Sequence, residues 1–197
     1  MPTYDVTETD ARTLARLVKT AVSPRPVAWV STRSPDGVDN LAPYSSYNYL
    51  CLAPPVLQVN ASPRADGRRK DTPRNAVESG AFAVNVVTAA DLERMDRTSE
   101  AVPPDRSEFD LAGVDRAPCR TIAAPRVAGA AVTLECTLHD TLEVHDRTSL
   151  LGDVRFVHVD PAVTTDGDID ATELASVGRL GGPYYTVAEP VPYERQY

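Results

Sequence analysis

The chain has 197 residues, 42% of them hydrophobic and 24% charged, with a formal net charge of −8 at pH 7. That length supports one domain with a real core, and no apolar run approaches the roughly 18 residues needed to cross a bilayer as a helix. The acidic balance disfavours nucleic acid and anionic membranes as partners, because both need a basic footprint, so positive charge has to be used locally.

The opening "MPTYDVTETDARTL" lacks the basic-then-apolar order of a secretory signal, which gives a cytoplasmic expectation. A short helix is expected over Ala11 to Lys19. "PVAWVST", Pro26 to Thr32, has the β-branched and aromatic content of a strand and ends at "RSPDGVDN", where Asp-Gly signals a hairpin turn. The return strand begins near Val38 and leads into "NLAPYSSYNYL"; "PPVLQVNA", Pro54 to Ala61, supplies a further buried-type strand. Three consecutive strands predict an antiparallel meander.

In "RRKDTPRNAVESG", Arg68 to Gly80, Pro73 suits a first helical turn, which makes Thr72 the expected N-cap and Gly80 the stop. "AFAVNVV", Ala81 to Val87, returns as a strand, and "TAADLERM" opens a second helix with Thr88 as cap and Asp91 in its first turn. Thr98 to Asp110 reads as loop. Strands over Ala130 to Val144 and Ser149 to Asp160 flank a turn at "HDRT". The tail "VGRLGGPYYTVAEPVP" is rich in Gly, Pro and aromatics and is expected to be ordered against something without being a strand. Six or seven short strands with few helices predict a mainly β fold with short helices, closed or nearly closed into an antiparallel barrel.

Cys51, Cys119 and Cys136 are too few and too scattered for a disulfide framework and favour a reducing compartment. Cys136 and His139 have a metal-like spacing, but no second pair completes four ligands, so no metal is assigned. The more informative chemistry lies at the helix expected after Lys70. Of the twenty basic side chains only Lys19 and Lys70 are lysines. A helix N-terminus is a ready anion site, to which Thr72 adds a hydroxyl and Lys70 a mobile charge, with Arg68, Arg69 and Arg74 nearby. Two readings stand at this point: a phosphate site, or an ordinary capped helix beside a solvated basic cluster. Asp71 opposes an anion unless it turns away or pairs with an arginine. Likewise "NLAPYSSYNYL" is either a wet sheet face or a segment whose backbone groups and Ser45 or Ser46 bind a polar heterocycle, with Asn60 and Ser62 facing the same cavity.

"SPRPVAWVST", "NLAPYSSYNYL", "PPVLQVNAS", "KDTPRNAVESGAFAVNV", "SEFDLAGV" and "VGRLGG" stand in the order seen in the flavin reductase-like, FMN-binding split-barrel family that includes flavoredoxin. The resemblance covers about Val18 to Tyr185, so the whole chain, 1–197, reads as a single domain of that kind. It implies an antiparallel, Greek-key type split β-barrel that forms a homodimer and holds FMN, or sometimes FAD, without a covalent link. It also implies that Asn40, Ala42, Pro43, Tyr44, Ser45 and Ser46 lie along the isoalloxazine and ribityl chain, while Asn60, Ser62, Lys70, Asp71 and Thr72 gather round the phosphate.

Arg25 and Arg179 either approach the cofactor, brace a dimer or form surface ion pairs; Trp29 either fills the core or stacks near the flavin. Flavin reductases of this kind often carry a Gly-Asp-His turn associated with nicotinamide binding. Here the counterpart is His145-Asp146-Arg147, which replaces both the glycine and the histidine. His139, His145 and His158 are otherwise ordinary strand or turn residues. No Ser/His/Asp, Cys/His or paired-carboxylate arrangement is present, so no catalytic residue is assigned. The expected function is passage of electrons from NAD(P)H through FMN. The alternatives are an FMN electron carrier reduced by a redox partner protein and a non-catalytic flavin-binding dimer.

Overall fold

The computed structural model describes residues 1–193. Asp10 starts the first helix by accepting the Thr13 amide at 3.0 Å, and α1 (Ala11–Ala21) runs slightly beyond the expected Lys19. β1 (Arg25–Pro26) leads into β2 (Ala28–Arg33), a turn with Gly37 at φ 84°, and β3 (Asp39–Tyr44). The expected hairpin forms, with Ala28 opposite Tyr44 and Arg33 opposite Asp39. The expected meander does not. The run after Asn40 breaks at Ser45 and Ser46, so β4 (Tyr47–Leu52) and β5 (Pro55–Ala61) pair with each other and not with β3.

The chain continues through α2 (Asp71–Ser79), β6 (Ala81–Val86), α3 (Leu92–Arg97), α4 (Glu108–Ala112), β7 (Arg116–Ala117) and β8 (Arg126–Val127). Two long strands follow, β9 (Val132–Val144) and β10 (Arg147–Val159), then β11 (Thr164–Thr165), β12 (Asp168–Ile169), β13 (Val177–Arg179) and β14 (Tyr185–Val187). Seven strands form one antiparallel sheet in the order β3-β2-β6-β9-β10-β5-β4. Its outermost strands, β3 and β4, are separated in the chain by two residues only, so the sheet must curl until its edges nearly meet. The Asn60 amide bonds the Ser46 carbonyl at 2.8 Å, which carries the β4–β5 ladder one pair further, up to the two-residue link with β3. The result is a barrel left split along one line.

Alternate residues of these strands fill the barrel: Val30, Val59, Phe82, Val84 and Leu150 are fully buried. Gly152 is needed for this filling. A Cβ there would overlap the Phe82 ring and come within 2.9 Å of Cys136 Cβ. A second core, with Trp29, Leu41, Met95, Phe109 and Val177, lies under α3 and α4. Trp29 is 1% exposed and donates its indole N–H to the Thr98 hydroxyl at 2.8 Å, which settles it as a packing residue.

Three local expectations are corrected. The segment Thr98 to Asp110 is loop only as far as Ser107, because α4 then turns Phe109 into the second core. The tail does form strands, with β13 pairing both β1 and β14 in a small separate sheet. The third concerns the cap of α2, described below. Thr88 and Asp91 do form the expected cap, as a reciprocal box before α3. Away from the barrel seam, fully buried Glu135 of β9 accepts from the amides of Arg120 and Thr121 at 2.6 Å each and from His158 Nε2 at 2.5 Å. Burial pushes this carboxyl up, but the donors of Thr121, Arg120 and His158 outweigh it and hold it at about 2.

Candidate functional site

The opening turn of α2 faces β3. Lys70, in extended conformation, takes the N-cap position, and no side chain caps the helix. Thr72 is therefore not the cap. It stands in the first turn, and its hydroxyl donates to Asn40 Oδ1 at 2.7 Å. Asp71 is drawn off the helix end by two arginines, bonding Arg64 and lying 2.7 Å from Arg74 Nη2. Its charge is thus balanced on the protein. Lys70 makes no ion pair among the described residues, which leaves one mobile cation beside the unpaired amides of a helix start.

Below this turn Asn40 is held rigidly. Its Nδ2 donates to both oxygens of Glu108 at 2.9 Å, and the Leu41 amide donates to Glu108 Oε2 at 3.0 Å. Glu108 is 5% exposed; burial pushes its carboxyl up, opposed by the Leu41 amide and Asn40. Tyr44 is 7% exposed, and its buried hydroxyl meets no described atom in hydrogen-bond geometry, although the Thr72 side chain lies near enough to oppose part of the effect of burial. Burial raises that phenol to about 12, so it is a neutral donor waiting for an acceptor.

These groups border a cavity of about 170 Å³ between β3, the start of α2 and the loop Thr98 to Val102. It opens beside a cleft of about 550 Å³, with Pro43 and Ser99 on the wall of both. Of the residues singled out from the sequence, Asn40, Ala42, Pro43, Tyr44, Lys70, Asp71 and Thr72 line the cavity, and Ser45 and Arg25 line the adjoining cleft. Ser46, Asn60 and Ser62 line neither; Asn60 instead accepts from Gln58 Nε2 at 3.0 Å through its side chain. Arg25 is occupied by backbone carbonyls, bonding those of Lys19, Val22 at 2.7 Å and Leu180 at 3.1 Å. Arg179 stacks over Tyr185, 4.3 Å from the ring centre.

The sequence reading gave no role to Arg64, which neutralises Asp71, or to Glu108, which fixes Asn40. Arg64 had no local signal. Glu108 lies inside the quoted "SEFDLAGV", where an acid one residue before a buried phenylalanine was the available hint.

Comparison with known proteins decides what this arrangement belongs to. A family model described as a flavin reductase like domain matches residues 21–172. The chain belongs to the flavin reductase-like family. This flavin reductase-like chain is 38% identical over 186 residues to an uncharacterised protein of Aquifex aeolicus, covering 94% of the present chain and 95% of that one. It is also similar to nitrilotriacetate monooxygenase component B from Bacillus cereus, at 30% identity and a TM-score of 0.92, covering 98% of each chain. A protein of Shewanella frigidimarina described as having a split barrel domain shares the fold, with a TM-score of 0.84 at 23% identity over 97% of this chain and 96% of that one. No described helix of this family member is long and apolar enough to cross a membrane.

Proposed function

We propose that this flavin reductase-like protein holds FMN, in preference to FAD, and passes electrons through it with NAD(P)H as the source. The buried, partnerless hydroxyl of Tyr44 carries the reading. An orphaned polar group of this kind costs about 1 to 3 kcal/mol, and a ligand acceptor in the cavity would remove that cost. The surrounding residues fit a phosphate: the uncapped first turn of α2 offers amides, Lys70 offers a cation with no ion pair among the described residues, Arg64 with Arg74 balances Asp71, and Glu108 is engaged by Asn40 and the Leu41 amide, which leaves Glu100 as the uncompensated acid on the cavity wall.

In this reading the small cavity takes the phosphate and ribityl end, and Pro43 and Ser45 lead the rest of the ligand into the larger cleft. FMN bound there supplies the hydride-accepting ring, so the chain needs no acid, base or nucleophile of its own. Its residues bind and orient. Thr72, Asn40 and Glu108 form a buried chain that fixes the α2 turn against β3, and Ser99 to Val102 shield one side from water. The protein is read as a homodimer, as the family resemblance implies.

One observation favours a second reading, an FMN carrier reduced by a redox partner protein. In the turn joining β9 and β10, His145 has φ 53° and Arg147 is paired with its neighbour Asp146 at 3.2 Å, where a nicotinamide-binding turn would present a histidine. The test is anaerobic: load the protein with FMN, remove unbound flavin, add NADH or NADPH, and follow the flavin absorption band. Bleaching of retained flavin within seconds is expected. Retained flavin that stays oxidised with both nucleotides would move the function to the carrier, and failure to retain flavin would refute both.

A further inference from the structure

The cleft carries more positive charge than the site described so far uses. Arg12, Arg16 and Lys19 reach it from α1, Arg25 and Arg179 also line it, and Asp96 is the one acid on its wall among the described residues. Arg12 and Arg16 are four residues apart, so they lie one turn above the other on the same helix face, with Lys19 one turn further. None of these three forms an ion pair among the described residues, in a chain holding 28 acidic side chains. Like charges stacked on one helix repel, so the arrangement gains from an anion.

No residue of α1 is buried, so the helix is not placed here to fill a core. Its C-terminal end is nevertheless pinned. Arg25 donates to the carbonyls of Lys19 and Val22 and, on the other side, of Leu180; Gly181 lets Thr20 pack where a Cβ would overlap it. Arg25 and Arg179 spend their donors or faces on the protein, whereas Arg12, Arg16 and Lys19 remain available.

We propose that this cleft holds the phosphate-bearing half of the nicotinamide dinucleotide and selects NADPH over NADH. The inference rests on the reading of the protein as a nicotinamide-dependent reductase. A diphosphate brings two negative charges, fewer than the available cations, while a 2′-phosphate adds close to two more and offers oxygens matched to a guanidinium fork. Because Pro43 and Ser45 lie on the wall of this cleft and lead the flavin ring into it, a dinucleotide anchored by α1 has its other end in the same space as that ring.

The experiment uses the FMN-loaded protein and its Arg12→Gln/Arg16→Gln variant, whose changes fall on exposed positions, with the flavin retained by each quantified from its absorption band before any nucleotide is added. Calorimetric titration with 2′,5′-ADP and 5′-AMP reads the site directly, and kcat/KM for NADPH and NADH reads its use. The proposal expects 2′,5′-ADP to bind about tenfold or more tightly than 5′-AMP, NADPH to be preferred by a similar factor, and both differences to collapse toward unity in the variant. Equal binding of the two adenylates, or a preference unchanged in the variant, overturns it even if flavin is reduced. If 2′,5′-ADP binds selectively yet neither nucleotide reduces the flavin, the site stands and the reductase reading fails.

Discussion

Two substitutions two residues apart separate ligand contact from scaffold. Thr72→Val removes a buried 2.7 Å hydrogen bond and leaves Asn40 Oδ1 with only the Thr32 hydroxyl at 3.3 Å. The expected loss is about 1–2 kcal/mol, which in a domain of this size lowers Tm by roughly 2–8 °C. Lys70 is exposed and makes no ion pair among the described residues, so Lys70→Ala should change apo stability by less than about 0.5 kcal/mol. If its ammonium meets the FMN phosphate, the loss of a charge-assisted contact worth about 1.5–3 kcal/mol weakens Kd roughly 10- to 150-fold. That effect should shrink as salt is raised. Quenching of flavin fluorescence at two ionic strengths gives Kd, and thermal unfolding of the flavin-free protein gives Tm. Lys70→Ala with Kd within about twofold of the parent would refute the phosphate assignment. Thr72→Val with unchanged Tm and abolished FMN binding would place the hydroxyl on the ligand and not on Asn40.

Tyr44→Phe should weaken FMN binding about fivefold or more while leaving the flavin-free protein equally stable or more so, since an orphaned hydroxyl is removed; equal FMN affinity would show that the phenol meets no ligand. Glu135 is held at about 2 against an ordinary 4.5, so its contribution of about 3 kcal/mol is present above pH 4.5 and is lost as pH falls toward 2. Urea unfolding across that window should show a slope in the parent that Glu135→Gln lacks. Gly152→Ala forces a methyl against Phe82 and should cost about 1–3 kcal/mol, partly recovered by adding Phe82→Leu; an unchanged urea midpoint would mean the ring moves freely.

The β2–β3 hairpin was legible because an Asp-Gly turn separates two runs of strand-forming residues. The seam after Tyr44 was not, since Ser45 and Ser46 are neither glycine nor proline and β4 is exposed along nearly its whole length, giving no alternation to read. The N-cap of α2 was misplaced by two residues, at Thr72 and not Lys70. Pro73 tolerates any position in a first turn, and it is Asn40, 32 residues away in sequence, that claims the Thr72 hydroxyl. Asn40, Tyr44, Lys70 and Thr72 were chosen from motif resemblance and do share a cavity, whereas Asn60 and Ser62 fall outside it; the Asn60 side chain is taken by Gln58, which also bonds Ser149 of β10. Glu108 sits on a helix of five residues, too short to show a period, and the tail strands are too short and glycine-rich to announce themselves.

Glu108 does one thing more. By taking the Leu41 amide, its carboxylate stands in for the neighbouring strand that β3 lacks, so a carboxylate seals this margin of the sheet. The opposite margin has no such plug. Among the described residues β4 has no strand beyond it, and it exposes Tyr49, Leu50 and Leu52. The two margins of the sheet are therefore unlike: further strand pairing is disfavoured at β3, where a carboxylate occupies a backbone donor, and has no such obstacle at β4.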